Sequence, residues 1–137
     1  MSKLNYRCEA YAKINPSEDP KAVETALRLL AYPEVESETK FTNNEIHIIF
    51  TGSSALKKMR DQAAARRVRA VLRRLLLSNY SEGKITIMLN KQALTRGIIS
   101  FVESESESPL GPVYLEIYTS DVQALASYLT SEKSFQR

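Results

Sequence analysis

The chain has 137 residues, 43% hydrophobic and 26% charged, a composition that suits one globular domain over 1–137 with its own core and excludes a disordered chain. One cysteine, Cys8, excludes an internal disulfide, and with a single histidine it excludes a usual structural zinc site; no metal or organic cofactor is implied. The pI near 9.0 favours a polyanionic partner, yet the net charge is only +3, so any such partner must be met by a patch.

No stretch approaches the ~20 apolar residues of a membrane span, and residues 1–7 lack the apolar run of a signal peptide. A soluble protein of the reducing cytoplasm is expected.

In chain order, residues 4–14 alternate, with Leu4, Tyr6, Cys8, Ala10, Ala12 and Ile14 on one side, which is the period of a strand with one face in the core. Asp19 and Pro20 read as the N-cap and first position of a helix with Val23, Ala26, Leu27 and Leu30 as its buried stripe, ended by Pro33. Residues 35–42 and 45–51 flank Asn43-Asn44 as a hairpin, with Ile46, Ile48 and Phe50 inward and His47 and Ile49 outward.

Residues 55–80 hold eight of the 19 Lys and Arg but one of the 16 Asp and Glu, so this segment is +7 and the rest of the chain −4. Its Ala, Leu, Arg and Lys content, free of Gly and Pro, predicts a helix, with Ser53 or Ser54 as a capping hydroxyl. At about 100° per residue, Ala64, Val68, Val71, Leu72 and Leu75 share one face, Arg66, Arg69 and Arg73 the opposite face, and Arg67 and Arg74 its border. Leu56, Met59 and Ala63 lie on another azimuth, so a bend or a change of packing is expected near 63–66. Such an arginine row suits bidentate contact with phosphates, or else pairs with glutamates of neighbouring elements.

Residues 84–89 alternate again, 90–97 predict a turn or short helix, and 98–103 return to extended structure. Residues 103–108, Glu-Ser-Glu-Ser-Glu-Ser, read as an acidic solvated loop or a docking arm. Val113, Leu115 and Ile117 alternate inward in a last strand, and Ser120 or Asp121 caps a last helix with Val122, Leu125, Ala126 and Leu129 as its stripe. Residues 131–137 are expected to fray.

The order β-α-β-β-α-β-β-β-α argues for an α+β two-layer sandwich, a largely antiparallel sheet with its helices on one face. The other face would show Arg7, Tyr11, Lys13, His47, Ile49, Met88, Tyr114 and Tyr118. Of these, Tyr11, Ile49, Met88, Tyr114 and Tyr118 fit a homodimer interface or a platform for stacking unpaired bases. Asn90, Lys91 and Gln92 place two amides and an ammonium beside the basic helix, as contacts for phosphates and base edges or as a helix cap with two solvated side chains.

The second half resembles a small archaeal family of single-domain proteins of uncharacterised function. The resemblance rests on Leu89-Asn90-Lys91-Gln92-Ala93 followed by Gly97 and Phe101, then Ser108-Pro109-Leu110-Gly111-Pro112, preceded by Arg67-Val68-Arg69 and Arg73. Ala70, Val71 and Leu72 depart from the family's Asp-Ala-Ala before Arg73, and Leu94-Thr95-Arg96 lacks its aromatic residue. That family looks like a structural relative of the large-subunit ribosomal protein that binds 5S rRNA, and its members are similar in forming dimers, which implies RNA binding and a homodimer.

A helix-turn-helix reader is disfavoured because no short helix precedes the basic one, and residues 96–102 match only the first two positions of the RNA-recognition-motif signature. No Gly-rich phosphate loop or Cys/His pair is present, and His47 has no evident acid partner, so no enzyme is expected. The expected function is RNA binding through the basic helix; the alternative is a homodimeric assembly protein whose helix meets an acidic protein.

Overall fold

The computed structural model describes residues 5–131. Seven strands and five helices follow in the order β1 (Tyr6–Lys13), α1 (Pro20–Arg28), β2 (Glu36–Thr42), β3 (Glu45–Gly52), α2 (Lys57–Ala65), α3 (Arg69–Ser78), β4 (Tyr80–Ser81), β5 (Lys84–Leu89), α4 (Lys91–Leu94), β6 (Phe101–Val102), β7 (Val113–Tyr118) and α5 (Val122–Leu129). The sheet runs β2-β3-β1-β7-β5-β4, with β6 also on β5, and every pairing is antiparallel. The expected α+β architecture is the observed one. Leu4, and residues 132–137 of the segment expected to fray, lie outside the described residues.

Alternation decides which face is covered. Cys8, Ala10 and Ala12, Ile46, Ile48 and Phe50, Ile85 and Ile87, and Leu115 and Ile117 are buried beneath Leu27, Met59, Leu72, Leu76 and Leu125 of the helices. Burial pushes the Cys8 thiol up to about 12, so it packs as an apolar side chain.

Asp19 caps α1 as expected, its Oδ1 accepting from Lys21 N at 3.1 Å with Pro20 behind it. The helix stops at Arg28 and not at Pro33, because residues 29–31 tighten into i→i−3 bonds that still deliver Leu30 to the core. Asn43 takes the positive φ of the hairpin turn, at 36°.

The long basic helix is two helices, α2 and α3. Val68 N bonds Ala63 O at 3.0 Å and Arg67 N bonds Ala64 O at 3.3 Å, the paired pattern of a Schellman end, with Arg67 in the left-handed region at φ 59° where glycine is usual. The break re-aims the apolar stripe: Met59 and Ala63 face the core in α2 and Leu72, Leu75 and Leu76 in α3, while Ala64, expected inside, is exposed. Neither Ser53 nor Ser54 caps α2; its N-cap is Leu56, with no side-chain bond.

The same end recurs after α4, where Gly97 at φ 76° holds the left-handed position and Ile98 N bonds Ala93 O at 3.1 Å. Gln62 of α2 ties down the chain beyond it, donating to Gly97 O at 2.7 Å and accepting from Ile99 N at 2.8 Å. Extended pairing is therefore confined to Phe101–Val102, later than expected, because the amide of Gln62 replaces a neighbouring strand. Gln62→Ala leaves both backbone groups without this partner and is expected to cost about 1–3 kcal/mol, read as a lower urea midpoint with unchanged m-value.

Candidate nucleic-acid interface

The break gathers Arg66 and Arg67 at the end of α2 and Arg69, Arg73 and Arg74 on α3. Arg66, Arg67, Arg73 and Arg74 are exposed and Arg69 is half-buried. Arg66 thus leaves the single row it was expected to share with Arg69 and Arg73. It flanks the row from the end of the preceding helix, where the negative end of the helix dipole favours a cation.

Ion pairs form at several places elsewhere, although Arg7, Lys13, Lys21, Lys40, Lys58 and Arg96 also meet no carboxylate among the described residues. Arg28 meets Glu24, Lys57 and Arg60 meet Asp61, Lys84 meets Glu116, and Lys91 meets Glu18. Within the arginine group Arg74 meets Glu103 at 2.9 Å, which raises the Arg74 pKa and lowers that of Glu103. Among the described residues no carboxylate lies within ion-pair distance of Arg66, Arg67, Arg69 or Arg73. The surface therefore carries four uncompensated guanidinium groups, each able to offer two parallel N–H donors to one phosphate.

Lys91 does not belong to this surface, which corrects the sequence expectation. It is 3% exposed, and its ammonium donates to Lys13 O at 3.0 Å, Leu110 O at 2.9 Å and the Glu18 carboxylate at 3.1 and 3.2 Å. All three protons are engaged inside the protein, so none remains for a phosphate. Asn90 is the N-cap of α4, its Oδ1 accepting from Ala93 N at 2.9 Å, and of the three residues only Gln92 is exposed.

The two motifs behind the family resemblance close on each other. Buried Ser108 accepts from Lys91 N at 3.0 Å and donates to Gly111 O at 2.9 Å, while Lys91 Nζ takes Leu110 O. Residues 90–93 and 108–112 thus form one clasp that pins α4 to the turn before β7 and to the start of α1. Their signature is structural.

On the uncovered sheet face, one register row carries Lys40, His47, Tyr11, Tyr114 and Met88 across five strands. The Tyr11 ring stacks on His47 at 5.1 Å and on Tyr114 at 5.2 Å. Tyr11 and Tyr118 both donate to Glu116, at 3.1 and 2.9 Å, Tyr114 donates to Glu105, and Arg7 lies 4.9 Å over Tyr118. Burial and the Glu116 bond push Tyr11 up to about 12, and the Glu105 bond and burial do the same for Tyr114, so both stay donors at neutral pH.

His47 has two acid partners where none was expected, Glu9 at 2.8 Å and Glu45 at 3.0 Å. Glu9 lies two pairing positions from it in β1 and was invisible before the register was known. Tyr11, Ile49, Met88, Tyr114 and Tyr118 are all half-buried on this face. Among the described residues no group of acids, Cys and His is arranged to hold a metal ion, and no helix is long and apolar enough to cross a membrane.

The sequence model of a family described as RNA binding matches residues 7–119. A UPF0201 protein of Sulfurisphaera tokodaii is 37% identical over 123 residues, covering 86% of this chain and 82% of its own. That of Thermococcus kodakarensis is 33% identical over 133 residues, covering 94% and 92%. A crystal structure of a UPF0201 protein shares the fold with a TM-score of 0.75 at 23% identity, over 93% of this chain and 94% of that one. The 2.2 Å structure of a UPF0201 protein from Methanococcus jannaschii gives 0.70 at 17% identity, over 96% of each. Matched over most of its length by sequence and by fold, the chain belongs to the UPF0201 family.

Proposed function

We propose that the protein is a non-enzymatic module for structured RNA, whose phosphates meet Arg66, Arg67, Arg69 and Arg73, with Arg74 and Gln92 beside them. One observation carries this reading: four arginines gather around a helix break with no carboxylate partner among the described residues. The matching family's description as RNA binding supports it. Fluorescence anisotropy against a structured RNA, a single-stranded RNA and duplex DNA at three salt concentrations tests it. Tightest binding to the structured RNA, with a salt slope reporting several phosphates, is the expected result; weak and equal binding to all three overturns it.

A second reading is a homodimeric assembly protein joined through the uncovered sheet face, its arginines meeting an acidic protein partner. Ile49, Tyr11, Tyr114 and Tyr118, all half-buried on the uncovered face, favour it, since aromatic residues are enriched at interfaces. Sedimentation at micromolar concentration decides: a monomer removes this reading.

A further inference from the structure

Strand β5 has a notch in its outer edge. Strand β4 pairs with it only up to Ile85 and β6 only from Met88, so Thr86 and Ile87 have no strand beyond them. Asn79, just past the end of α3, partly fills the gap by donating to Thr86 O at 2.9 Å. A groove of about 400 Å³ opens there, lined by Arg74, Ser78, Asn79, Thr86, Met88 and Tyr114 among others. Its volume falls within the range of roughly 300–1,000 Å³ usual for ligand pockets.

The groove joins the arginine helix to the tyrosine row of the sheet. On the helix side its rim is Arg74, the residue after Arg73. On the sheet side it is bordered by Tyr114, the last ring of the row His47, Tyr11 and Tyr114. Tyr11 stacks on the Tyr114 ring from the β1 side, and Tyr114 lines the groove together with Met88, its pairing partner on β5. An added peptide strand does not fit, because the notch spans two residues between strands already in place.

We infer that this groove takes one unpaired nucleobase of the bound RNA, packed against the Tyr114 ring and the Met88 side chain while the adjoining phosphates lie on Arg69 and Arg73. This rests on the RNA reading and deepens it. Duplex RNA is held by its backbone, and a bulged or looped base is what the groove selects. The Tyr114 ring also lies on the face that a second copy would cover; the two uses exclude each other, and here the ring serves RNA.

The test is anisotropy with a labelled RNA duplex and the same duplex carrying one bulged adenine. The bulged RNA is expected to bind about tenfold tighter or more, as stacking of a base on an aromatic side chain implies. Tyr114→Leu removes the ring, and Ser78→Leu, at an exposed position on α3, obstructs the groove without touching the core. Each is expected to bring the bulged RNA down to the affinity of the plain duplex and to leave the duplex unchanged.

Equal binding of both RNAs by the unaltered protein overturns the inference alone, as does a bulge preference that survives both substitutions. So does a Tyr114→Leu variant that loses the preference only by dissociating a dimer while Ser78→Leu keeps it. A protein that ignores both RNAs and takes up a labelled oligoglutamate peptide overturns the RNA reading with it.

Discussion

Replacing Lys91 by Ala is expected to destabilise the protein by about 3–5 kcal/mol, the range seen when one partner of a buried charge pair is removed. The Lys91 side chain is 4% exposed and that of Glu18 12%. Without the ammonium, Lys13 O loses this donor, and Leu110 O and the Glu18 carboxylate keep only those of Asn15. Arg is not a substitute, since its planar fork cannot converge three donors on acceptors from three directions. Lys91→Met with Glu18→Gln should recover much of the loss, because it removes the orphaned charge along with its partner. Urea denaturation measures all three variants. RNA affinity per folded molecule should not change in any of them, which separates this clasp from the arginine surface.

The same pair gives the protein an acid limb. Burial alone would raise the Glu18 pKa, but the backbone and side-chain N–H groups of Asn15 and the Lys91 ammonium outweigh it and hold the carboxyl below its ordinary 4.5. A depressed folded value means that the unfolded chain binds the proton first, so the stabilisation is fully present above 4.5 and is lost as pH falls through the folded value. Asp61 behaves alike: burial raises it, and the Tyr32 hydroxyl, Lys57 and Arg60 together bring it below its ordinary 3.8. Glu18→Gln should lower stability at neutral pH and flatten its fall below pH ~4.5, measured as urea midpoints across the acid range. A variant whose acid limb matches that of the unaltered protein would remove Glu18 from this account.

What was legible in the chain was whatever depends on near neighbours. Alternation from Tyr6 to Ala12 and from Val113 to Ile117 needs only the two-residue period of a strand, and Asp19-Pro20 announces a helix start without any tertiary contact. The split of the basic helix was half visible. The azimuth of Met59 and Ala63 disagreed with that of Leu72 and Leu75, but Arg67 in a position that favours glycine gave no compositional sign of a stop.

Lys91 was misplaced for the opposite reason. Its acceptors come from Lys13, Glu18 and Leu110, three segments distant in sequence, and nothing local distinguishes a lysine that will be buried from one that stays solvated. The partners of His47 were hidden in the same way until the register set Glu9 beside it. The arginines were the legible part of the candidate surface. That Arg74 alone of the five would meet a glutamate depended on Glu103, which arrives just after β6.

The triple change Arg66→Ala, Arg69→Ala and Arg73→Ala is expected to lower affinity for structured RNA at least about a hundredfold near physiological salt. Charge-assisted contacts contribute roughly 1.5–3 kcal/mol each, so three of them exceed that loss even after shared terms are discounted. The plot of log K against log salt should become shallower by about 2–3, since each neutralised phosphate contributes close to one counterion. Stability should move by no more than ~0.5 kcal/mol, because these side chains have no ion-pair partner to lose among the described residues. Lysine at the three positions should restore the salt slope more fully than the affinity, as it keeps the charge and loses the bidentate fork. Glu103 gives the opposite sign. Glu103→Gln releases Arg74 and removes a negative charge beside the groove, so it should tighten binding where Arg74→Ala weakens it. A folded triple variant that binds RNA with unaltered affinity and slope would take the arginines out of the interface, and a Glu103→Gln variant that binds more weakly would put the carboxylate in it.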